Sequence, residues 1–137
     1  MKKSEAVEQD VNWVAKRDEW LAALRKLCAT ITSWCEAEGW SVQEDEKLIT
    51  EDHVGQYVAP ALLIQAPNGR LHIDPVGCNI IGANGRVDIE SWPSLNRLLL
   101  VRLNGGWKIK TEDRVAWPES WSKTTFLKIV DALQSAA

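Results

Sequence analysis

Phenylalanine and tyrosine occur once each among these 137 residues, methionine once, histidine twice and cysteine three times. Each scarcity excludes something. The two histidines, His53 and His72, stand in neither an HExxH helix motif nor Cys/His zinc spacing. Cys28, Cys35 and Cys78 are odd in number and form no CxxC pair, which argues against a disulfide framework or a thiol redox motif. Cys28 and Cys35 lie seven apart in a helical pattern, about 10 Å along the axis and too far for a bridge. All three are expected to be reduced packing residues. No apolar run approaches the roughly 18–20 residues of a membrane span. The opening MKKSEAVEQDVNW lacks the apolar stretch of about 7–15 residues that a secretory signal needs. The expectation is a cytoplasmic protein with no membrane contact. No charge of one sign dominates. The net charge is −3, the pI is about 5.4, and basic residues are scattered among acids, which argues against a nucleic-acid partner. There is no GxSxG elbow, Walker loop, GxGxxG or DxDxDG calcium loop.

What is abundant is tryptophan, with eight residues. Trp13, Trp20 and Trp34 fall on an apolar stripe with Leu21, Leu24, Leu27, Cys28, Ile31 and Cys35. Steps of three, four and seven predict an amphipathic helix from about Val11 to Glu38, stopped by Gly39. A helix lying on a sheet fits this stripe better than a coiled-coil seam, because Arg17 interrupts one core position. Residues 1–10 read as a flexible N-terminus and 11–137 as one domain.

Beyond Trp40 the period changes to two. WSVQEDEKLIT reads as a weak strand or strand pair, EDHVGQ as a loop, and Tyr57–Ala66 as a strand with Pro60 marking an edge or bulge. Two near-copies follow, NGRLHID from Asn68 and NGRVDIE from Asn84. Asn-Gly between apolar runs is the strongest short hairpin signal, since a type I′ turn needs positive φ at both central residues. Both copies are therefore read as hairpins, the second joining CNIIG to RVDIE. A third, Asn104-Gly105-Gly106, joins Leu95–Leu103 to WKIKT. A loop then leads to Ser122, an N-cap candidate, and to a helix with Phe126, Ile129, Val130 and Leu133 on one side. The predicted fold is α+β: a long N-terminal helix, an antiparallel meander of five or six strands, and a C-terminal helix, with both helices on one sheet face. Nothing alternates strand with helix, so a parallel sheet is not expected.

Three constellations bear on function. His72, Asp74, Asp88 and Glu90 occupy the wet face of the two near-copies. They form either a cation or general-base site or a solvated face with charge pairs to Arg70 and Arg86. The acidic run Glu36, Glu38, Glu44, Asp45, Glu46, Glu51 and Asp52 reads as a solvated edge, or as a docking patch for a basic partner. Trp92, Trp117 and Trp121 lie in or beside loops, two of them before proline. They are either plugs with indole N–H groups bonded to backbone, or an exposed ledge for a peptide, sugar or base, with Arg97 and Arg102 nearby.

At the level of element order alone, helix–meander–helix is similar to small α+β binding modules such as secretion-chaperone-like proteins and some bacterial immunity proteins. That resemblance implies a non-catalytic, acidic, often dimeric binding protein. The first expectation is therefore a non-enzymatic binding or interaction module without a cofactor, its partner another protein or a second copy. The alternatives are a small enzyme or metal-dependent protein using His72, Asp74 and Asp88, and a sugar- or nucleotide-binding module using the loop tryptophans.

Overall fold

The computed structural model describes residues 11–135; the segment 1–10, read above as a flexible N-terminus, lies outside the described residues. Helix α1 spans Trp13–Ala37. Asn12 caps it, its side chain accepting a hydrogen bond from the Ala15 N–H at 2.9 Å, which satisfies one of the free donors of the first turn. Gly39, at φ 82°, ends it in the left-handed region. The predicted stripe is the buried one: Trp20, Leu21, Leu24, Leu27, Cys28, Ile31 and Cys35. Trp13 departs from expectation. It is only partly buried, stacked on His53 with ring centroids 5.2 Å apart, with Lys16 over its ring.

Six antiparallel strands follow as a meander, each paired with its sequence neighbour. They are β1 (Ser41–Glu51), β2 (Gly55–Ala66), β3 (Gly69–Gly77), β4 (Arg86–Trp92), β5 (Arg97–Leu103) and β6 (Gly106–Thr111). Helix α2 spans Lys123–Ser135, with the Ser122 Oγ accepting from the Thr125 N–H at 3.2 Å. Leu62, Ile64, Leu71, Ile73, Val87, Ile89, Leu98, Leu100 and Ile109 form one core with the α1 stripe and with Phe126, Ile129, Val130 and Leu133 of α2. Both helices thus cover the same face of the sheet. No helix among the described residues is long and apolar enough to cross a membrane.

The segment after Trp40 is one strand, not two: β1 pairs with β2 without a break from Ser41↔Gln65 to Glu51↔Gly55. β3 joins β2 only from Leu62 onward. Pro60 therefore sits where the neighbouring strand has left, as its missing N–H requires. There the buried positions of β2 also change phase, from Tyr57, Ala59 and Ala61 to Leu62, Ile64 and Ala66.

The near-copies behave differently from each other and from expectation. At the first, β2 and β3 close as Ala66↔Gly69, so the two-residue loop is Pro67-Asn68. Proline cannot take positive φ, and the turn is not type I′. Gly69, at φ 145°, is needed both for that conformation and for close approach, since a Cβ there would lie 2.1 Å from the Trp92 carbonyl oxygen. The second copy makes no turn at all. Asn84 N–H donates to Arg102 O, and Arg102 N–H to Gly85 O, both at 2.8 Å. Asn84-Gly85 thus extends β4 along β5, and CNIIG belongs to the irregular connection after β3. A Cβ on Gly85 would stand 2.3 Å from the Trp20 ring. Trp20 takes the space beside Gly85, and the ladder to β5 wins over local turn chemistry. The third signal holds. Leu103 pairs with Gly106, and Asn104 and Gly105 have φ of 52° and 78°, the signs a type I′ turn requires.

Candidate functional site

The two near-copies pair with each other. β3 and β4 set His72 opposite Glu90, and Asp74 opposite Asp88, so the polar cluster read from sequence does assemble on the face away from the helices. Two of its three carboxylates are already partnered. Asp74 takes Lys47 at 2.7 Å. Asp88, buried, takes Arg86 at 2.8 Å and Arg97 at 3.7 Å. The facing aspartates, which would repel one another in isolation, are thus held by three cations from β1, β4 and β5. Among the described residues, no group of three His, Cys, Asp or Glu side chains is arranged to hold a metal.

The thiols are buried and free. Burial, reinforced by Glu44 at Cys28 and by Glu36 and Glu38 at Cys35, pushes both up to about 12. Burial and then Glu51 push Cys78 up to about 11. Thiols held this high carry almost no nucleophilic thiolate near neutrality.

Glu51 corrects the reading of the acidic run as wholly solvated. Its carboxylate accepts from the Tyr57 hydroxyl, from Asn79 N–H at 2.8 Å and from Cys78 N–H at 3.1 Å. Gly77 makes room, since a Cβ there would lie 2.5 Å from Glu51 Oε1. Burial raises the Glu51 pKa, but the bonds from Tyr57, Asn79 and Cys78 outweigh it and hold the carboxyl below its ordinary value. This group clasps the far end of the β1–β2 hairpin to the end of β3. The rest of the run is exposed, and Glu44 to Glu46 lie along the outer edge of β1, a charged edge of the kind that discourages strand addition.

The three loop tryptophans do not form one ledge. Trp92, 50% exposed, stands on the outer face opposite Arg70. With Leu63, Leu71 and His72 it lines a shallow hollow of about 180 Å³. Its loop is held through other residues: Ser94 Oγ and Asn96 Nδ2 donate to Leu133 O at 2.8 and 3.0 Å, covering an end carbonyl of α2. Trp117 and Trp121 lie at the other side, against the core. Trp117 is anchored by its backbone N–H to Ile109 O at 2.9 Å. Its indole N–H, shielded from solvent, meets no acceptor, contrary to the expected bond to backbone. Arg97 pairs with Glu112 at 2.6 Å, whereas Arg102 lies 5.3 Å from the centre of the Trp107 ring.

Trp117 and Trp121 belong to a larger feature that the sequence did not reveal. Between α1 and the β5–β6 hairpin lies a hollow of about 290 Å³, lined by Lys26, Trp34, Arg102, Trp107 and Trp121. Beside β6 lies a second, of about 410 Å³, lined by Trp107, Lys108, Lys110, Trp117, Pro118 and Trp121. Trp107 and Trp121 line both hollows, and the first, between α1 and the β5–β6 hairpin, is the indole-walled cleft. Its rings are packed on others: Trp121 on Trp34 at 5.4 Å and on Phe126 at 5.8 Å, and Trp107 lies 6.3 Å from Trp20. The chain also folds back over the outer edge of β6. Thr111 N–H donates to Val115 O, and Ala116 bridges to Lys110. That segment seats Trp117 and closes the edge against strand addition. Trp34, Trp107, Lys26, Lys108 and Lys110 were absent from the sequence-derived candidates, because they come from α1 and β6 and only the fold brings them to Trp121.

No protein-family model, curated protein or solved structure matches the chain.

Proposed function

We propose that this protein is a non-enzymatic binding module that holds its partner in the indole-walled cleft between α1 and the β5–β6 hairpin. The observation that carries this reading is the convergence of three partly buried indoles, Trp34, Trp107 and Trp121, on one hollow. Aromatic side chains give large contact area at low entropic cost, and they concentrate binding energy at protein interfaces. Packing of these rings against Phe126 and the core leaves little ordering for a ligand to impose, which favours affinity. The ion pairs that occupy Asp74 and Asp88 support this reading over general-base work at the outer face.

The test is a two-dimensional NMR spectrum of the tryptophan indole N–H groups of the full chain, recorded against separate panels of short peptides, saccharides and nucleotides. The expected result is that peptides shift the Trp34, Trp107 and Trp121 signals and leave Trp92 in place. Shifts confined to Trp92, or responses to saccharides or nucleotides alone, would overturn the proposal.

A further inference from the structure

We infer that Asn104, in the β5–β6 turn, is a site of spontaneous deamidation, and that the fold protects the other two Asn-Gly pairs, Asn68-Gly69 and Asn84-Gly85, from the same reaction. The modification stands independently of the binding role.

The reaction belongs to the Asn-Gly pair itself. The backbone nitrogen of the glycine attacks Cγ of the asparagine side chain. An N–Cγ bond forms, the Cγ–Nδ2 bond breaks, and ammonia leaves with the proton of the backbone N–H. Water then opens the cyclic imide at one of its two carbonyls and leaves either aspartate or isoaspartate. Water is the only co-reactant. Glycine is the most permissive follower, because it has no side chain to obstruct the approach and its backbone turns freely. All three pairs meet that condition. The fold decides whether the glycine nitrogen is open and whether the asparagine can rotate to bring Cγ over it.

At Asn104 both conditions hold. Asn104 and Gly105 are exposed and form the two-residue loop, at φ 52° and 78°. The hairpin closes through Leu103 and Gly106, so its closing bonds use neither loop residue. Nothing lies within 4 Å of the place where a Gly105 Cβ would stand.

Asn84 is also exposed, but its backbone is fixed on both sides of the reacting bond. Its N–H donates to Arg102 O, and Gly85 O accepts from Arg102 N–H, both at 2.8 Å. Gly85 is buried, and a Cβ there would stand 2.3 Å from the Trp20 ring. Rotation about the Asn84–Gly85 link breaks both bonds and drives the glycine against the indole. Asn68 is held through its follower. Gly69 closes the β2–β3 hairpin with Ala66, its carbonyl accepts from Gln65 Nε2 at 3.2 Å, and the Trp92 carbonyl crowds its Cα.

The product changes the wall of the cleft. Gly105 lines it together with Lys26, Arg102 and Trp107. Either product sets a carboxylate at this turn in place of a neutral amide. Isoaspartate also adds one carbon to the main-chain path of a two-residue loop.

The experiment ages the full chain in warm, mildly alkaline buffer, well below its unfolding temperature. A second sample ages in guanidinium chloride, where only local sequence acts. Trypsin cuts after Arg and Lys and places the three pairs on separate peptides, residues 48–70, 71–86 and 103–108. Mass spectrometry follows the replacement of NH2 by OH on each. In the unfolded sample the three pairs are expected to convert at comparable rates. In the folded sample Asn104 is expected to convert roughly tenfold or more faster than Asn84, whose two backbone bonds must open first, and faster than Asn68. Its rate should rise with pH, because the attacking nitrogen must lose its proton. Conversion of Asn68 or Asn84 as fast as Asn104 in the folded chain would overturn the inference. So would the same spread of rates in the folded and unfolded samples, which would mean that the fold protects nothing.

Discussion

At the scale of single residues, two small groups hold the fold by where they sit. Glu51 is one. Its carboxyl titrates below the ordinary 4.5 because Tyr57, Asn79 and Cys78 donate to its ionised form. The folded state binds this proton less readily than the unfolded state does. The stabilisation is therefore complete above pH 4.5 and is lost as pH falls through the folded value. Glu51→Gln should lower stability by roughly 1–3 kcal/mol near neutrality, since the amide cannot accept from all three donors. It should also flatten the acid limb of stability against pH, as read by urea titration between mildly acidic and neutral buffer. An unchanged acid limb would show that other carboxyls govern it. Gly85 is the second group. Any side chain there meets the Trp20 ring, so Gly85→Val should cost about 1–3 kcal/mol or more by overpacking. Gly85→Ala should also destabilise, because the collision begins at the Cβ. A tolerated alanine would mean that Trp20 can move aside. The sequence pointed to Gly85 for another reason, positive φ, and that reason does not operate.

At the scale of elements, three Asn-Gly pairs were read as the same turn, and only Asn104-Gly105 is one. The difference lies in what competes with the turn. Beyond Leu103 the strands have nothing else to join, and local preference decides. At Asn84 the stretch of β5 just past the Arg86↔Val101 pair offers Arg102 as a partner, and two backbone bonds displace the turn. At Asn68 the preceding proline moves the loop back by one residue. Gly105 has φ 78° and open space around its Cα, so its requirement is conformational rather than steric. Gly105→Val should cost about 1–3 kcal/mol. Gly105→Asn should stay close to wild type, because asparagine tolerates this region. Equal losses in both variants, measured by thermal unfolding, would remove the type I′ assignment. The periodicity of α1, the order of the strands and the capping at Ser122 were all legible, because each is set by residues within a few positions of one another.

At the scale of the whole molecule, the arrangement of charge matters more than its total. Acids line the β1 edge, ion pairs fill the outer face between β1 and β5, and cations lie over the Trp13 and Trp107 rings. This predicts a quenching pattern opposite to that expected from net charge. With Trp92 replaced by Phe, the indoles that remain partly exposed include Trp13, under Lys16, and Trp107, under Arg102. Iodide should then quench tryptophan fluorescence more strongly than caesium at equal ionic strength, although the chain carries net charge −3. Stronger quenching by caesium would mean that the exposed indoles face the acids instead.

By itself the sequence determined a helix, an antiparallel meander and a second helix, with the apolar stripes of both helices turned to one face of the sheet. Those features follow from periodicity and from local turn and cap chemistry, which act between near neighbours. The tertiary structure alone decided three other things: that Asn84-Gly85 lies along β5, that Glu51 reaches Cys78, and that Trp34, Trp107 and Trp121 meet with Lys26 and Arg102 around one cleft. Each joins residues far apart along the chain, and no local preference records which distant backbone or ring will compete for a given group.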